Sequence, residues 1–196
     1  MKAPLFAAIA AALFAVPAVQ ARAPLSPDSL YHLDARLTDQ SGAVHALDVH
    51  RGRPVLITMF YGSCPMACPL LIDTLRAVER ATPPRERENL QILLVTIDPA
   101  HDTPAALLAL AKQRRIDSTR WTLARTDEKN VRKLAAMLNI QYRALPDGGY
   151  NHSSVITLLD PAGDIVMQSS VLGRADDALV DAIRATSAIA GRTVSH

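Results

Sequence analysis

The hydrophobic and polar positions of the chain follow two kinds of pattern. Two continuous apolar runs, at 53–61 and 90–98, are typical of strands buried on both faces of a sheet. A segment with apolar residues at helical spacing follows each run, one beginning at Pro69 and the other at Thr103. Buried strands that alternate with helices predict an α/β domain with helices on both faces of its sheet.

The same patterns extend the domain in both directions. Residues 31–52 predict an N-terminal hairpin with its turn at Ser41-Gly42. The chain after the second helix predicts five further elements: a short strand at 121–125, a helix at 127–139, strands at 153–160 and 164–171, and a closing helix at 175–189. The last two strands would be joined by the turn Pro161-Ala162-Gly163, giving a terminal hairpin and helix.

The N-terminus has a different composition. Lys2 precedes nineteen uncharged residues, of which the most apolar stretch, Leu5–Val16, has twelve. That length is short for a membrane span of roughly 20 residues but suits the core of a signal peptide. Val19 and Ala21 then supply small residues at the −3 and −1 positions of a signal-peptidase cleavage site after Ala21. We expect residues 1–21 to be a signal peptide, with an uncleaved membrane anchor as the alternative.

This leader sets the expected location and the domain boundaries. We expect an exported protein of the bacterial periplasm, either released or held at the inner membrane, where thiols can be oxidised. Residues 22–35, rich in Pro and Ser at their start, are expected to form a linker, and residues 36–196 the folded domain.

Composition narrows the class of partner. The chain has 196 residues, of which 49% are hydrophobic, enough to fill the core of one domain without a disulfide or metal. A net charge of +2 and an aromatic content of 4% leave no basic, aromatic-rich surface of the kind that binds nucleic acid. Nucleic acid is therefore excluded as a partner.

The only two cysteines, Cys64 and Cys68, follow the first apolar run. They could form a structural disulfide, a redox pair or two ligands of a metal ion, and their spacing alone permits all three. A structural disulfide is disfavoured because so short a loop gains little stability from closure. A helix beginning at Pro69 would point its positive end at the sulfurs and favour the thiolate form.

A third soft ligand would favour a metal site, and six histidines are candidates: His32, His45, His50, His101, His152 and His196. His152 differs from the others because it lies in a glycine-rich turn immediately before an apolar strand. Two thiolates and one imidazole suit Cu(I), and with a fourth ligand they would suit Zn(II). Met66, between the cysteines, is a candidate for an additional soft contact.

Three motifs in order, "YGSCPMACP", "LVTIDPAHDTP" and "YNHSSVITLLDPAGDIV", resemble the Sco/SenC family. The resemblance, which runs from about Arg36 to Gly173, implies a thioredoxin-like fold with a central mixed sheet. It also implies that Cys64, Cys68 and His152 bind one copper ion and that Asp98 and Asp102 belong to the loop beside that site. The family is linked to assembly of the binuclear copper centre of cytochrome c oxidase, and some members to thiol reduction or redox sensing.

Two functions therefore stand as hypotheses. The first is a periplasmic metallochaperone that passes copper to the copper-site subunit of cytochrome c oxidase or to another cuproprotein, with a thiol reductant keeping its cysteines reduced. The second is a thiol–disulfide oxidoreductase in which Cys64 and Cys68 are the redox-active pair and Cys64 is the nucleophile. From the residues themselves, Asp98 is expected to end its strand and Asp102 to help cap the following helix.

Overall fold

The computed structural model describes residues 24–64 and 67–193 of the chain. In these ranges it has nine strands and five α-helices, with short 3-10 turns at Leu30–His32 and Leu47–His50. The strands are β1 (Arg36–Asp39), β2 (Val44–Ala46), β3 (Val55–Phe60), β4 (Gln91–Thr96), β5 (Trp121–Arg125), β6 (Tyr142–Ala144), β7 (Tyr150–His152), β8 (Ile156–Leu159) and β9 (Ile165–Ser169). The helices are α1 (Ala67–Ala81), α2 (Pro84–Asn89), α3 (Pro104–Gln113), α4 (Glu128–Met137) and α5 (Asp177–Thr193).

Seven strands form one mixed sheet in the order β2-β1-β5-β4-β3-β8-β9. The central pairs β3–β4 and β4–β5 are parallel, as expected for strands joined by helical crossovers, and the outer pairs are antiparallel. The predicted N-terminal hairpin is β1–β2, and it extends one edge of the sheet through β5. β6 and β7 form a separate two-stranded sheet.

The core lies around the two strands that the sequence marks as buried on both faces. Every residue of β3 and of β4 is buried, which requires cover on both sides of the sheet centre. α1 packs against α5, and Arg76 of α1 donates to the Arg114 carbonyl at the end of α3, so α1 contacts both helices. The mixed sheet with covered faces confirms the α/β prediction.

Helix starts agree with the sequence where a capping side chain is present. Thr103 precedes α3 and its hydroxyl accepts the Ala106 N–H, while the Asp127 carboxylate accepts the Asn130 N–H at the start of α4. α1 begins at Ala67, two residues before the predicted start at Pro69. Cys68 therefore lies inside the first turn of α1 rather than ahead of it.

The segment that precedes β1 packs against the folded domain. Leu30, Tyr31 and Ala35, within the stretch interpreted as a linker, are buried. Ser29 donates to the carbonyl of Ala162, and the Leu30 N–H donates to the carbonyl of Gly163, so this segment is held on the β8–β9 turn. The predicted leader, residues 1–21, lies outside the described residues. In the part of the chain that the structure describes, none of the helices has the length and apolarity to cross a membrane.

His50, 9% exposed beside His45, gives the fold a pH-dependent contribution to stability. Burial, with smaller effects from His45 and Arg53, lowers the pKa of His50 from 6.5 to about 4. Because the unfolded chain takes up this proton at higher pH than the folded chain, the stability is complete above pH 6.5 and is lost as the pH falls toward 4. We expect His50 to account for a loss of about 2 kcal/mol between pH 7 and pH 5.

Urea unfolding at the two pH values measures this contribution. Between pH 7 and pH 5, the free energy of unfolding should fall by about 2 kcal/mol more in the wild type than in His50→Gln. His32→Gln, which makes the same substitution at an exposed histidine, is the matched control. Equal pH dependence in the His50→Gln variant and the wild type would show that burial does not keep this ring neutral.

Candidate functional site

The two cysteines lie at the carboxyl end of β3, where α/β sheets commonly form their sites. Cys68 is 3% exposed, whereas Cys64 is half-buried. The Cys68 N–H donates to the Cys64 sulfur, with 3.4 Å between nitrogen and Sγ, and the Tyr61 N–H donates to the Cys68 sulfur at the same distance. Both residues are present as thiols. The first turn of α1 thus brings the pair together as predicted.

Burial changes the expected acidity of one thiol. It raises the pKa of Cys68 far above its ordinary value, and the hydrogen bond from the Tyr61 N–H only partly opposes this. From the sequence, the positive end of the helix is expected to make both thiols more acidic. For Cys68 that expectation is wrong, because the sulfur lies inside the first turn and desolvation outweighs the field of the helix.

His152 is the last residue of β7, and its strand partner is Tyr142. Its Nδ1 lies 3.2 Å from the Ser153 carbonyl oxygen and donates to it in the Nδ1–H tautomer. Its Nε2 is buried and has no hydrogen-bond partner among the described residues. Burial lowers the pKa of His152, with the Ser153 carbonyl opposing the shift, so the neutral imidazole is favoured. A neutral ring with a bare nitrogen is the form that binds a metal ion.

Tyr61 contacts all three predicted ligands. Its N–H donates to Cys68, its hydroxyl is hydrogen-bonded to the Cys64 side chain, and its ring packs edge-on against His152 with 5.8 Å between ring centroids. The hydroxyl also donates to the Tyr150 carbonyl. The structure therefore brings the two thiols together and links both of them to His152 through contacts with Tyr61.

The three side chains do not yet form a coordination group. Within residues 24–64 and 67–193, no set of three or more His, Cys, Asp or Glu side chains is arranged closely enough to hold a metal ion. The assignment of Cys64, Cys68 and His152 to one ion stays a prediction. The candidate ligands Met66 and His196 lie outside the described residues.

The loop between β4 and α3 contacts both the cysteine segment and the β6–β7 hairpin that carries His152. Asp102, 5% exposed, accepts hydrogen bonds from the Gly62 N–H at 2.9 Å and from the Thr96 hydroxyl. The expectation that Asp102 helps to cap α3 is wrong, because Thr103 provides that cap. The carboxylate instead fixes the backbone just before Cys64, which agrees with its implied place beside the site.

Asp98 follows the end of β4, as expected, and connects the loop to the histidine hairpin. It is 3% exposed, its carboxylate lies 2.9 Å from Nδ1 of His101, and it accepts a hydrogen bond from the Tyr150 hydroxyl at 3.5 Å. Tyr150 in turn packs against Tyr61, with ring centroids 5.4 Å apart. Through these contacts the loop supports both the cysteine segment and β7.

Sequence reasoning missed Tyr61 and Tyr150 as site residues. The available signal was position: Tyr61 stands three residues before Cys64 at the end of a buried strand, and Tyr150 stands two residues before His152. Alternate residues of a strand share a face, so Tyr150 and His152 had to point the same way.

Comparisons with known proteins place these features in a family. The sequence pattern of SCO1/SenC matches residues 27–187. A protein of Stutzerimonas stutzeri whose name describes it as copper-binding is 26% identical over 133 residues, which cover 66% of this chain and 64% of the relative. The chain thus spans somewhat less than two thirds of the length of that curated relative.

Solved structures share the fold. ScoI of Bradyrhizobium japonicum, a structure with copper bound, has a TM-score of 0.65 at 24% identity and covers 78% of this chain and 96% of its own. BsSco, described as a member of the Sco family of cytochrome c oxidase assembly proteins with a disulfide switch, has a TM-score of 0.65 at 18% identity and covers 78% and 90%. These similarities confirm the thioredoxin-like fold, and the match over residues 27–187 shows that the chain belongs to the SCO1/SenC family.

Proposed function

We propose that this chain is an exported copper carrier that binds one Cu(I) ion through Cys64, Cys68 and His152. Two thiolates and a neutral imidazole form a soft ligand set of low coordination number, which suits Cu(I). Copper is also the metal named for the Stutzerimonas relative and present in the Bradyrhizobium structure. The ion is cargo, so the site must hold it without enclosing it.

The observation that carries the proposal is the unpartnered Nε2 of His152. A buried polar atom without a hydrogen bond costs free energy, and most such atoms in folded proteins have a partner. A bond to a metal ion would satisfy this nitrogen. The hydrogen bond of Nδ1 to the Ser153 carbonyl fixes the ring orientation, as a second hydrogen bond commonly does for histidine ligands.

Copper binding requires a local rearrangement around Tyr61. Its ring packs against His152, and its hydroxyl is hydrogen-bonded to Cys64. Binding must replace these contacts with metal–ligand bonds, so that Cys64 and His152 approach each other. Cys68 loses a proton on binding, and the strong metal–thiolate bond offsets the cost of its buried charge.

We further propose that the copper is delivered to the copper centre of cytochrome c oxidase in the periplasm. The leader predicted at residues 1–21 supports export, and the description of BsSco as an oxidase assembly protein supports the recipient. Oxidation of Cys64 and Cys68 to a disulfide releases two electrons and two protons and removes both sulfur ligands. The redox state of the pair would therefore control loading, with a thiol reductant restoring the dithiol.

Titration of the reduced protein with Cu(I) against a chromogenic chelator tests the proposal. We expect one ion per chain, and an X-ray absorption spectrum with two sulfur ligands and one nitrogen ligand. The variant with both cysteines replaced by serine, and the wild type oxidised to the disulfide, should bind no Cu(I) at this site. A stoichiometry far from one, or a spectrum without a nitrogen ligand, would contradict the site.

Thiol–disulfide exchange is a second candidate, favoured by the unequal exposure of the two sulfurs. An accessible Cys64 can attack a client disulfide, while the buried Cys68 resolves the mixed disulfide and leaves Cys64–Cys68 oxidised. A dithiol donor would then restore the pair. Reduction of a model disulfide that survives His152→Ala but is lost in Cys64→Ser would support this function. Loss in both variants would exclude it as a function independent of the histidine.

A further inference from the structure

Two histidines outside the predicted copper site lie together at one edge of the main sheet. His45 is the middle residue of β2, and His50 ends the 3-10 turn that follows it. Their ring centroids are 6.5 Å apart, with an angle of 76° between the ring planes. Four strand spacings of roughly 4.8 Å, about 19 Å in all, separate β2 from β3, so the pair is remote from the thiols.

Each of the two imidazoles has a buried nitrogen with no hydrogen bond. Nε2 of His45 and Nε2 of His50 are both buried and lack a hydrogen-bond partner among the described residues. His50 is only 9% exposed, and His45 is the strand partner of the fully buried Leu37, on the inner face of the β1–β2 hairpin. Buried polar atoms without a partner cost free energy, so two of them in adjacent rings indicate a shared ligand.

The distance between the rings favours one coordination geometry. An ion bonded at about 2.0–2.1 Å to one nitrogen of each ring would hold the centroids about 5.2 Å apart at a tetrahedral angle, and about 6.4 Å apart with the rings on opposite sides. The observed 6.5 Å matches the second arrangement. No hydrogen bond to either Nε2 has to break for the rings to turn toward a common ion. Ligands on opposite sides occur in the square-planar sites of Cu(II), whereas Zn(II) sites are tetrahedral.

A fixed carboxylate lies beside the pair. Oδ1 of Asp39 accepts hydrogen bonds from the N–H groups of Ser41 and Ala43, which orient the carboxylate, and Oδ2 lies 3.9 Å from Nε2 of His45. Arg53 is the cation whose charge acts on His50, but its side chain is exposed and solvent screens it. The local charge therefore favours a cation between the rings.

We propose that His45 and His50 bind one Cu(II) ion through their Nε2 atoms, at a second metal site that shares no residue with the predicted Cu(I) site. Water completes the square plane, and one water molecule bridges the ion to the Asp39 carboxylate. Nitrogen and oxygen ligands suit Cu(II), whereas thiolates select Cu(I), so the two sites take copper in different oxidation states.

Cu(II) titration of a protein without the predicted Cu(I) site tests this inference. The background is the triple variant Cys64→Ser, Cys68→Ser, His152→Ala, prepared without an affinity tag. The wild type oxidised to its disulfide is a second background that carries no substitution. We expect one Cu(II) per chain, with an EPR spectrum that shows hyperfine coupling to the nitrogens of two imidazoles. His45→Gln and His50→Gln, each added to the triple variant, should weaken Cu(II) binding at least about tenfold.

His32→Gln, at a histidine exposed to solvent, is the control and should bind Cu(II) as the background does. Thermal unfolding gives a second measure, because an ion that binds only the folded state raises the Tm. Cu(II) should raise the Tm of the background and of His32→Gln, but not that of His45→Gln or His50→Gln. Equal Cu(II) affinity in the background and in His45→Gln or His50→Gln would overturn the inference.

Two further outcomes would also count against this site. A Cu(II) spectrum without coupling to two imidazole nitrogens would show that the ion is held elsewhere. Tighter binding of Zn(II) than of Cu(II) would contradict the arrangement of the rings on opposite sides of the ion. None of these results bears on the proposed function, since Cu(I) binding to the reduced wild type is measured separately and uses other residues.

Discussion

Replacing His152 with alanine is expected to lower the affinity of the reduced protein for Cu(I) about 100-fold. Even the loss of a residue that only supports a metal ligand commonly costs 10- to 100-fold, so the loss of one of three direct ligands should reach at least the upper end of that range. The sulfurs of Cys64 and Cys68 would remain and keep residual binding. Competition with a Cu(I) chelator of known affinity measures the change.

This variant should keep the metal-free domain folded, at a cost of about 1 kcal/mol from the lost Nδ1 hydrogen bond to Ser153 and the lost ring contact with Tyr61. The Nε2 atom of His152 makes no hydrogen bond in the described structure, so its removal leaves no donor or acceptor newly unpaired at that end of the ring. His32→Ala, which removes an exposed histidine far along the chain from the thiols, should retain wild-type copper affinity. Unchanged affinity in His152→Ala would show that the histidine is not a ligand, and would favour the thiol–disulfide function.

The substitution Gly163→Ala is expected to destabilise the domain by about 3 kcal/mol. Gly163 lies in the β8–β9 turn with φ of +89°, where any residue with a Cβ is strained by about 1–2 kcal/mol. An added Cβ would also lie 2.5 Å from Cδ2 of Tyr31 and 2.7 Å from Oγ of Ser29, a steric overlap that costs a further ~1–3 kcal/mol. The segment before β1 would have to move off the turn.

Gly42→Ala separates the two causes. Gly42 has nearly the same backbone conformation, with φ of +85°, but an added Cβ would meet no atom within 4 Å. This variant should therefore show the backbone cost alone, about 1 kcal/mol. Thermal unfolding should place Gly163→Ala roughly 6–12 °C below the wild type and Gly42→Ala only about 2–4 °C below it. Equal losses in the two variants would mean that the contact with Tyr31 does not restrain the segment.

The elements that the sequence predicted correctly carry strong local signals. β3 and β4 are apolar at almost every position, and α3 has both Thr103 as its cap and Pro104 at its first position. Such signals depend on neighbours in the chain and need no knowledge of the fold. The hairpin β1–β2 was predicted for the same reason, because its alternating strands flank a Gly-containing turn.

The elements that were missed lack such signals. α2, which lies between α1 and β4, has the sequence PREREN and no buried residue, so no apolar pattern marks it. Pro84 at its first position is its one local signal. β6 and β7 have three residues each, and the stretch between them carries Pro146, Gly148 and Gly149, which indicates a turn more strongly than its short flanks indicate strands. The pairing of Tyr142 with His152 depends on contacts ten residues apart.

At the site, the proximity of the two cysteines was predictable from the sequence, but the burial and hydrogen bonding of the site residues were not. The proximity of Cys64 and Cys68 follows from their spacing. The burial of Cys68 depends on where α1 begins, and its hydrogen bond depends on the position of the Tyr61 N–H. The role of Asp102 likewise depends on a contact across 40 positions of the chain, with Gly62. Contacts of this kind are fixed by tertiary structure and leave no local pattern.

The place of β3 between β4 and β8 has a consequence for the order of events during biogenesis. The thiols follow β3, whereas the imidazole precedes β8. Only the antiparallel pairing of β3 with β8 brings these two regions to the same end of the sheet. A chain in which β8 has not yet paired with β3 would thus hold its sulfurs without the nitrogen. Under the proposed function, a partly folded chain would bind copper weakly, and full affinity would require the completed sheet.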